Sequence, residues 1–537
     1  MVSNVPAPAV GATAASGAVL LTLASGQFLM ALDSSVMNVS IATVANDLGT
    51  TVTGIQTAIT LYTLVMASLM ITGGKVGQIL GRKRAFAIGC VIYGIGSLIT
   101  SIAPNLSVLL IGWSLFEGIG AALIMPAIVA LVASNFGRAD RPRAYGLVAA
   151  SGAIAVAVGP LIGGLLTTYA SWRWVFAGEV LIVIGILMLA RRMADVPPDR
   201  AARLDFLGTV LSAVGLGLVV FGIIRAGVWG IAIPKPGAPT WLGVSPVVWL
   251  IIAGGVVLLG FLRWERVRQD NGAAVLVDPA LLDNTLLRGG LTSFFFQYLL
   301  QAGLFFAVPL FLSVALGLSA IETGLRILPL SVALLVAAVG VPKIFPDVSP
   351  RRVVRLGFLS LFAAIVALLV SLEVGVGPEV VTWTMLLAGL GIGALASQLG
   401  SVTVSAVPDE QSAEVGGLQN SITFLGASIG TALAGAVLIS GLSTSFLAGI
   451  EANPAIPQDL SSQAQVELGG GVPFIPDDEL SDALADAGIA GDTATAVIEE
   501  NEASRLDGLR AALSVLAVIA LIALLCSSGI PARQPGE

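Results

Sequence analysis

The sequence contains no histidine and only two cysteines, Cys90 and Cys526, among 537 residues. Without histidine, proton chemistry near neutral pH falls to carboxylates. Both cysteines lie in apolar segments, so they read as core residues rather than a disulfide pair. Charge is scarce as well: 11% of the residues are charged, where a soluble domain carries about 25%. No nucleotide-binding glycine loop, cysteine cluster or paired set of metal ligands is present, which argues against catalysis. No cofactor, no metal and no nucleic-acid partner is expected. The first residues lack the basic region and cleavage site of a removable signal peptide.

What fills the chain instead is apolar. Hydrophobic residues make up 56%, and mean hydropathy is +0.95. A membrane-spanning helix needs about 20 largely apolar residues. Fourteen segments qualify, centred near Met30, Leu64, Gly94, Ala121, Ala155, Ile182, Gly215, Gly255, Phe305, Leu335, Ala363, Gly393, Ala427 and Val518. The expected class is an all-α polytopic membrane protein. Threading with both termini on the cytoplasmic side puts twenty of the 26 lysines and arginines in cytoplasmic loops or the tail, as the excess of basic residues inside requires. Arg173, Arg225, Lys235, Arg326, Arg505 and Arg510 fall elsewhere. Arginine outnumbers lysine, and alanine and glycine abound, which points to a GC-rich bacterial genome and a bacterial inner membrane.

One polar loop, about 444–507, carries thirteen acidic residues, including Asp477-Asp478-Glu479 and Glu499-Glu500. The threading places it outside. It reads either as a small external cap or as a solvated, partly disordered linker. Two other stretches echo each other. At an offset of 268, Lys75 falls on Lys343, Lys83 on Arg351, Arg84 on Arg352 and Gly89 on Gly357. Each stretch joins the second and third spans of a six-span block. The expected organisation is a six-helix half over 1–193, a linker with two additional spans over 194–270, and a second six-helix half over 271–537. Paired halves with a site between them are the architecture of secondary transporters.

Motifs then narrow the family. Gly74, Lys75, Gly77, Gly81, Arg82 and Lys83 resemble the cytoplasmic loop signature of the major facilitator superfamily, with Gln78 where an aspartate is usual. In that family the loop gates the outward-facing state. Gly146, Gly159, Pro160, Gly163 and Gly164 in the fifth span resemble the antiporter signature, with Ala155 at one glycine position. Ordinary small-residue packing also fits them. "SWRWVF" (Ser171–Phe176) and "LDSSVMNVSI" in the first span are similar to elements of the fourteen-helix drug/proton antiporter branch, the QacA/EmrB type. The fourth span departs from that branch: Ser114 stands where its members carry arginine, and Glu117 where they carry glutamine.

Asp33, Glu117 and Glu179 therefore lie in apolar spans with no basic partner nearby. A charge at mid-helix costs roughly 2.5–3.5 kcal/mol on insertion scales, so these residues must face a wet cavity, take up protons or pair with a cationic substrate. Hydrogen-bonded structural roles also fit. Asn38, Tyr62, Trp113, Gln297, Gln301, Gln398 and Asn420 are candidate lining of a substrate cavity. The resemblance implies proton-coupled efflux of amphipathic, chiefly cationic drugs or toxic compounds by a monomer that alternates access across the bilayer. A major-facilitator exporter of a lipid, peptide or metabolite with altered or absent proton coupling, and a non-transporting membrane sensor, are the competing readings.

Overall fold

The computed structural model describes residues 10–136, 141–193, 203–230, 232–235, 237–273, 275–345, 348–373, 377–404, 406–407, 412–468 and 472–530. Arg138, Arg200 and Arg533 of the threading lie outside the described residues. The first half comprises α1 (Val10–Asp47), α2 (Val52–Leu80), α3 (Arg82–Ser101), α4, α5 (Arg141–Tyr169) and α6 (Arg173–Ala190). Helix α4 is composite: an opening turn Leu106–Leu109, a π-helical stretch Leu110–Glu117, and α-helix Gly118–Asn135. The inserted pair is α7 (Phe206–Trp229) and α8 (Pro246–Asp270). The second half holds α9 (Thr285–Leu310, continued by π-helical Phe311–Ala315), α10 (Ala320–Ile344), α11 (Pro350–Ser371), α12 (Glu379–Val404), α13 (Ser412–Ala452) and, after two short helices, α16 (Asp492–Cys526). Fourteen of these helices are long and apolar enough to cross a membrane, and each contains one of the fourteen expected centres. The chain is a multi-pass membrane protein.

Side-chain oxygens start the helices by accepting the backbone N–H groups that a first turn leaves free. Thr51 accepts from Gly54, Asn105 from Val108 and Asp205 from Gly208. Ser319 and Glu322 form a reciprocal capping box on α10. Between α2 and α3 the chain turns at Gly81 with φ of 99°, a conformation open to glycine and costly for other residues.

The internal echo has a structural counterpart. Lys83 donates from Nζ to the carbonyls of Arg191 (3.1 Å) and Met193 (2.6 Å), just past the end of α6. Arg351, its partner at offset 268, donates from Nε to the carbonyl of Ile530 (2.7 Å), just past the end of α16. Each half thus ties the start of its third span to the end of its last, where a cation also meets the negative end of the helix dipole. Gly89 and Gly357 match too. A Cβ at Gly89 would lie 2.9 Å from the Gly120 carbonyl of α4, and one at Gly357 would lie 3.0 Å from the Gly391 carbonyl of α12.

Over its described residues the acidic loop is helical and packs against the core, and it is termed the acidic cap. Helix α13 runs on to Ala452 and α16 begins at Asp492, so the polar segment is shorter than expected. Between them lie α14 (Gln458–Glu467) and α15 (Asp477–Asp486). Ile456, Val472, Phe474, Leu484 and Val497 join the main hydrophobic core of the protein. Arg505, 0% exposed, donates to Asp477 Oδ1 (2.6 Å) and to the carbonyls of Ile475 (2.8 Å) and Val314 (3.4 Å), pinning the cap to the end of α9.

Candidate functional site

Three helices of the first half bring Asp33 (α1), Glu117 (α4) and Glu179 (α6) together. One carboxylate oxygen from each lies within 4.8 Å of the other two. All three are buried, at 0%, 0% and 1% exposure. The geometry differs from a carboxylate on the wall of a wet cavity: in this conformation the cluster is sealed inside the half. Among the described residues no lysine or arginine forms an ion pair with any of the three.

The surroundings are polar but sparse. Trp113 Nε1 donates to both Asp33 oxygens, at 2.9 and 3.0 Å. Its indole stacks on Tyr62, centroids 5.0 Å apart and planes at 8°. Ser97 Oγ stands 3.1 Å from Glu179 Oε2 and 3.2 Å from the Tyr93 carbonyl, and its single hydrogen serves one of them at a time. Thr100 Oγ1 gives its hydrogen to the Gly96 carbonyl at 2.9 Å and lies 3.5 Å from Glu117 Oε1, beyond a good hydrogen bond. Glu117 Oε2 and Glu179 Oε1 are buried and make no hydrogen bond, and Tyr62 Oη and Tyr93 Oη, also buried, approach the Asp33 carboxylate without a hydrogen bond of good geometry. Gly96 makes room for this crowding, since a Cβ there would lie 2.6 Å from Glu117 Cγ.

The local fold explains the placement. The π-helical stretch Leu110–Glu117 holds Trp113, Ser114 and Glu117. Such stretches carry an extra residue per turn and occur often at functional sites. Ser114, in the position where the resembled branch has arginine, donates to the Ala58 carbonyl at 2.8 Å and ties α4 to α2.

The other candidates fall in several places. Tyr62 and Trp113, expected in the cavity lining, form the wall of the carboxylate cluster instead and are 1% exposed. Asn38 is half-buried, and its Nδ2 donates to the Ser34 carbonyl of its own helix at 2.8 Å. Gln297 is buried on α9 with Oε1 unpartnered. Gln301 and Asn420 are half-buried, and Gln398 is buried on α12. All four belong to the second half, apart from the cluster. Gly159 packs on Ser35 and Gly163 on Val36, so the fifth-span motif seats α5 on α1. A Cβ at Gly164 would lie 2.7 Å from the Ala320 carbonyl, so this residue seats α5 on α10 of the other half.

Residues that sequence reasoning passed over join the halves. Gln56, 2% exposed, donates to the carbonyls of Thr431 (3.2 Å) and Ala432 (3.0 Å). Ser428 donates to Thr60, Ser421 to Ala67 and Ser331 to Val156. The Ile321 N–H donates to Thr168. The bonds of Gln56, Thr60, Thr168 and Ile321 lie in the parts of α2, α5 and α10 nearer the acidic cap, that of Ser331 with Val156 falls at the middles of α10 and α5, and that of Ser421 with Ala67 lies just past the middle of α2. Gln56 was readable by the logic that flagged Asp33: a large polar group in an apolar span needs a partner.

Comparison with known sequences agrees with this architecture. The sequence profile described as Major Facilitator Superfamily matches residues 23–431. The chain belongs to the Major Facilitator Superfamily. It is 31% identical to the puromycin resistance protein pur8 of Streptomyces alboniger, over 82% of this chain and 85% of that protein. It is 27% identical to the probable actinorhodin transporter of Streptomyces coelicolor, over 86% and 77% of the two chains. The tetracenomycin C resistance and export protein of Streptomyces glaucescens is 26% identical, over 81% and 78%. Among solved structures, a bacterial homolog of the human lysosomal transporter Spinster, in an inward-facing and occupied conformation, superposes with a TM-score of 0.57 at 15% identity, over 95% of both chains. That likeness is one of fold. Within the superfamily architecture, α7 and α8 are the inserted pair and the carboxylate cluster sits in the first six-helix half.

Proposed function

We infer that this chain exports small amphipathic organic compounds, chiefly cationic ones, across a bacterial inner membrane in exchange for protons. It acts as a monomer with both termini in the cytoplasm. The observation that carries the reading is the meeting of Asp33, Glu117 and Glu179 in one sealed site without a basic partner. Three such charges would be very costly in a dry interior, so they are held there because they change protonation during the cycle. The names of the relatives, for puromycin resistance, actinorhodin transport and tetracenomycin C resistance and export, support outward movement of small organic compounds, and the cationic preference rests on the uncompensated carboxylates.

The burial of the cluster alters the expected coupling. Substrate and proton do not compete for one exposed anion in this conformation. Instead the halves are joined toward the acidic cap, which the positive-inside threading puts outside, and the carboxylates hold their protons while closed. Release requires α4 to move. If the π-helical stretch Leu110–Glu117 relaxes to α-helix, one residue leaves the turn and the residues before it rotate by about 100° relative to those after it. That motion separates Trp113 from Asp33 and gives the carboxylates a route to water. A substrate lodged between the halves favours the motion by binding one arrangement of α4 more tightly than the other.

The test is a substrate panel on the purified protein reconstituted in proteoliposomes, with an imposed pH gradient. Uphill movement of one or more amphipathic cations that collapses with the gradient is the expected result. Gradient-independent movement of every compound tested overturns proton coupling, and no movement of any overturns the export reading.

A further inference from the structure

We propose that the Asp33–Glu117–Glu179 cluster also binds a hard metal cation, which takes the place of protons there. Three facts beyond the acidity of the cluster support this. The first is spacing. One oxygen from each carboxylate lies within 4.8 Å of the others, the spread permitted when ligand oxygens surround one ion at about 2.3–2.6 Å each. The second is the phenols. Tyr62 and Tyr93 are 1% and 0% exposed, both approach the Asp33 carboxylate, and neither hydroxyl makes a hydrogen bond of normal geometry. Buried hydroxyls are rarely left this way. Glu117 Oε2 and Glu179 Oε1 are likewise buried without a hydrogen-bond partner, and an ion held among the carboxylates supplies what these oxygens lack. The third is the donor set, which is all oxygen. Carboxylate and hydroxyl oxygens select hard cations, whereas copper and zinc favour nitrogen and sulfur.

Charge balance fits the same picture. Three carboxylates with no lysine or arginine between them are neutralised by three protons, by a monovalent ion with two protons, or by a divalent ion with one. Na⁺, Ca²⁺ and Mn²⁺ share the required chemistry, and the arms of the experiment separate them. The role of the ion in transport rests on the coupling reading given above, but its binding does not.

The full-length protein, stripped of metal by a chelator in detergent and held in choline chloride, is titrated separately with Na⁺, Ca²⁺ and Mn²⁺ at constant ionic strength. Tryptophan emission and unfolding temperature are recorded, and Tb³⁺ luminescence sensitised through Trp113 reports the site directly. At least one ion is expected to give a saturable response that weakens about tenfold per pH unit of acidification for each proton displaced. Glu179→Gln should weaken it at least tenfold and Tyr62→Phe by a smaller factor. Asp482→Asn with Asp486→Asn in the cap should leave it unchanged. If Glu179→Gln does not purify as folded protein, Tyr62→Phe decides on the same readouts. No saturable response to any ion, an equal response in Glu179→Gln and Tyr62→Phe, or a response lost only in the cap variant overturns the proposal and leaves protons as the sole occupant. Binding is read without substrate or gradient, so its failure leaves proton-driven export standing, and failure of export leaves ion binding standing.

Discussion

Gln56 offers the sharpest test of how the two halves are held together. Its amide spans the interface and donates to the carbonyls of Thr431 and Ala432 at 3.2 and 3.0 Å, while the residue itself is 2% exposed. Gln56→Leu keeps the approximate volume and removes both donors. Each buried hydrogen bond contributes about 0.5–1.5 kcal/mol net, so the pair contributes roughly 1–3 kcal/mol to the cap-closed arrangement. The two carbonyls stay in the α13 helix, so little further penalty accrues from leaving them. Since about 1.4 kcal/mol is a factor of ten in an equilibrium, the variant should raise the ratio of cap-open to cap-closed molecules about five- to a hundredfold. Spin labels at Tyr169→Cys and Leu325→Cys report this as a distance distribution across the halves. Cys526 is exposed and is replaced by serine first, whereas Cys90 is buried. The distribution should gain a longer component in Gln56→Leu, and more of it when Ser428→Ala, which removes the bond to Thr60, is added. An unchanged distribution in both variants refutes the assignment of these contacts as the cap-side lock.

Other expectations concern single contacts. Gly164→Val drives a side chain into the Ala320 carbonyl and should favour the same cap-open state, read by the same labels. Arg505→Met removes a buried cation from Asp477 and two carbonyls. Because Asp477 is partly exposed, about 2–4 kcal/mol should be lost rather than the full cost of a wholly buried pair, seen as a lower unfolding temperature and faster proteolysis of the cap. Lys83→Met and Arg351→Met remove equivalent ties in the two halves. Each should cost about 0.5–2 kcal/mol, with the double variant close to the sum, measured by thermal unfolding in detergent. Gly96→Ala pushes on Glu117 Cγ and should impair gradient-driven transport more than it impairs substrate binding, read by comparing uptake with equilibrium binding of the same compound.

Much of the fold was legible because the bilayer imposes a length on every span, and all fourteen centres met that requirement. The paired halves were legible in Lys83 and Arg351, whose equivalence survived in charge. The cap was ambiguous because its acidity suggested solvation. Ile456, Val472 and Phe474, which bury it, are few and spread over a long stretch. At the site, each carboxylate stood out alone in its apolar surroundings, but nothing along the chain relates residues 33, 117 and 179. Their convergence depends on helix order and rotation. Tyr93 and Ser97 passed as ordinary span residues, although their i, i+4 spacing put two polar groups on one face of α3. The π-helical stretch of α4 leaves no compositional mark, so the seating of Trp113 against Asp33 was not readable.

In the proposed mechanism, protons held by the buried acids drive export. The most direct measurement compares two activities of the variant that combines Asp33→Asn, Glu117→Gln and Glu179→Gln in proteoliposomes: uphill uptake under a pH gradient, and exchange of labelled for unlabelled compound without one. Loss of the first with retention of the second is predicted. Uphill uptake at the wild-type rate in that variant would contradict the claim.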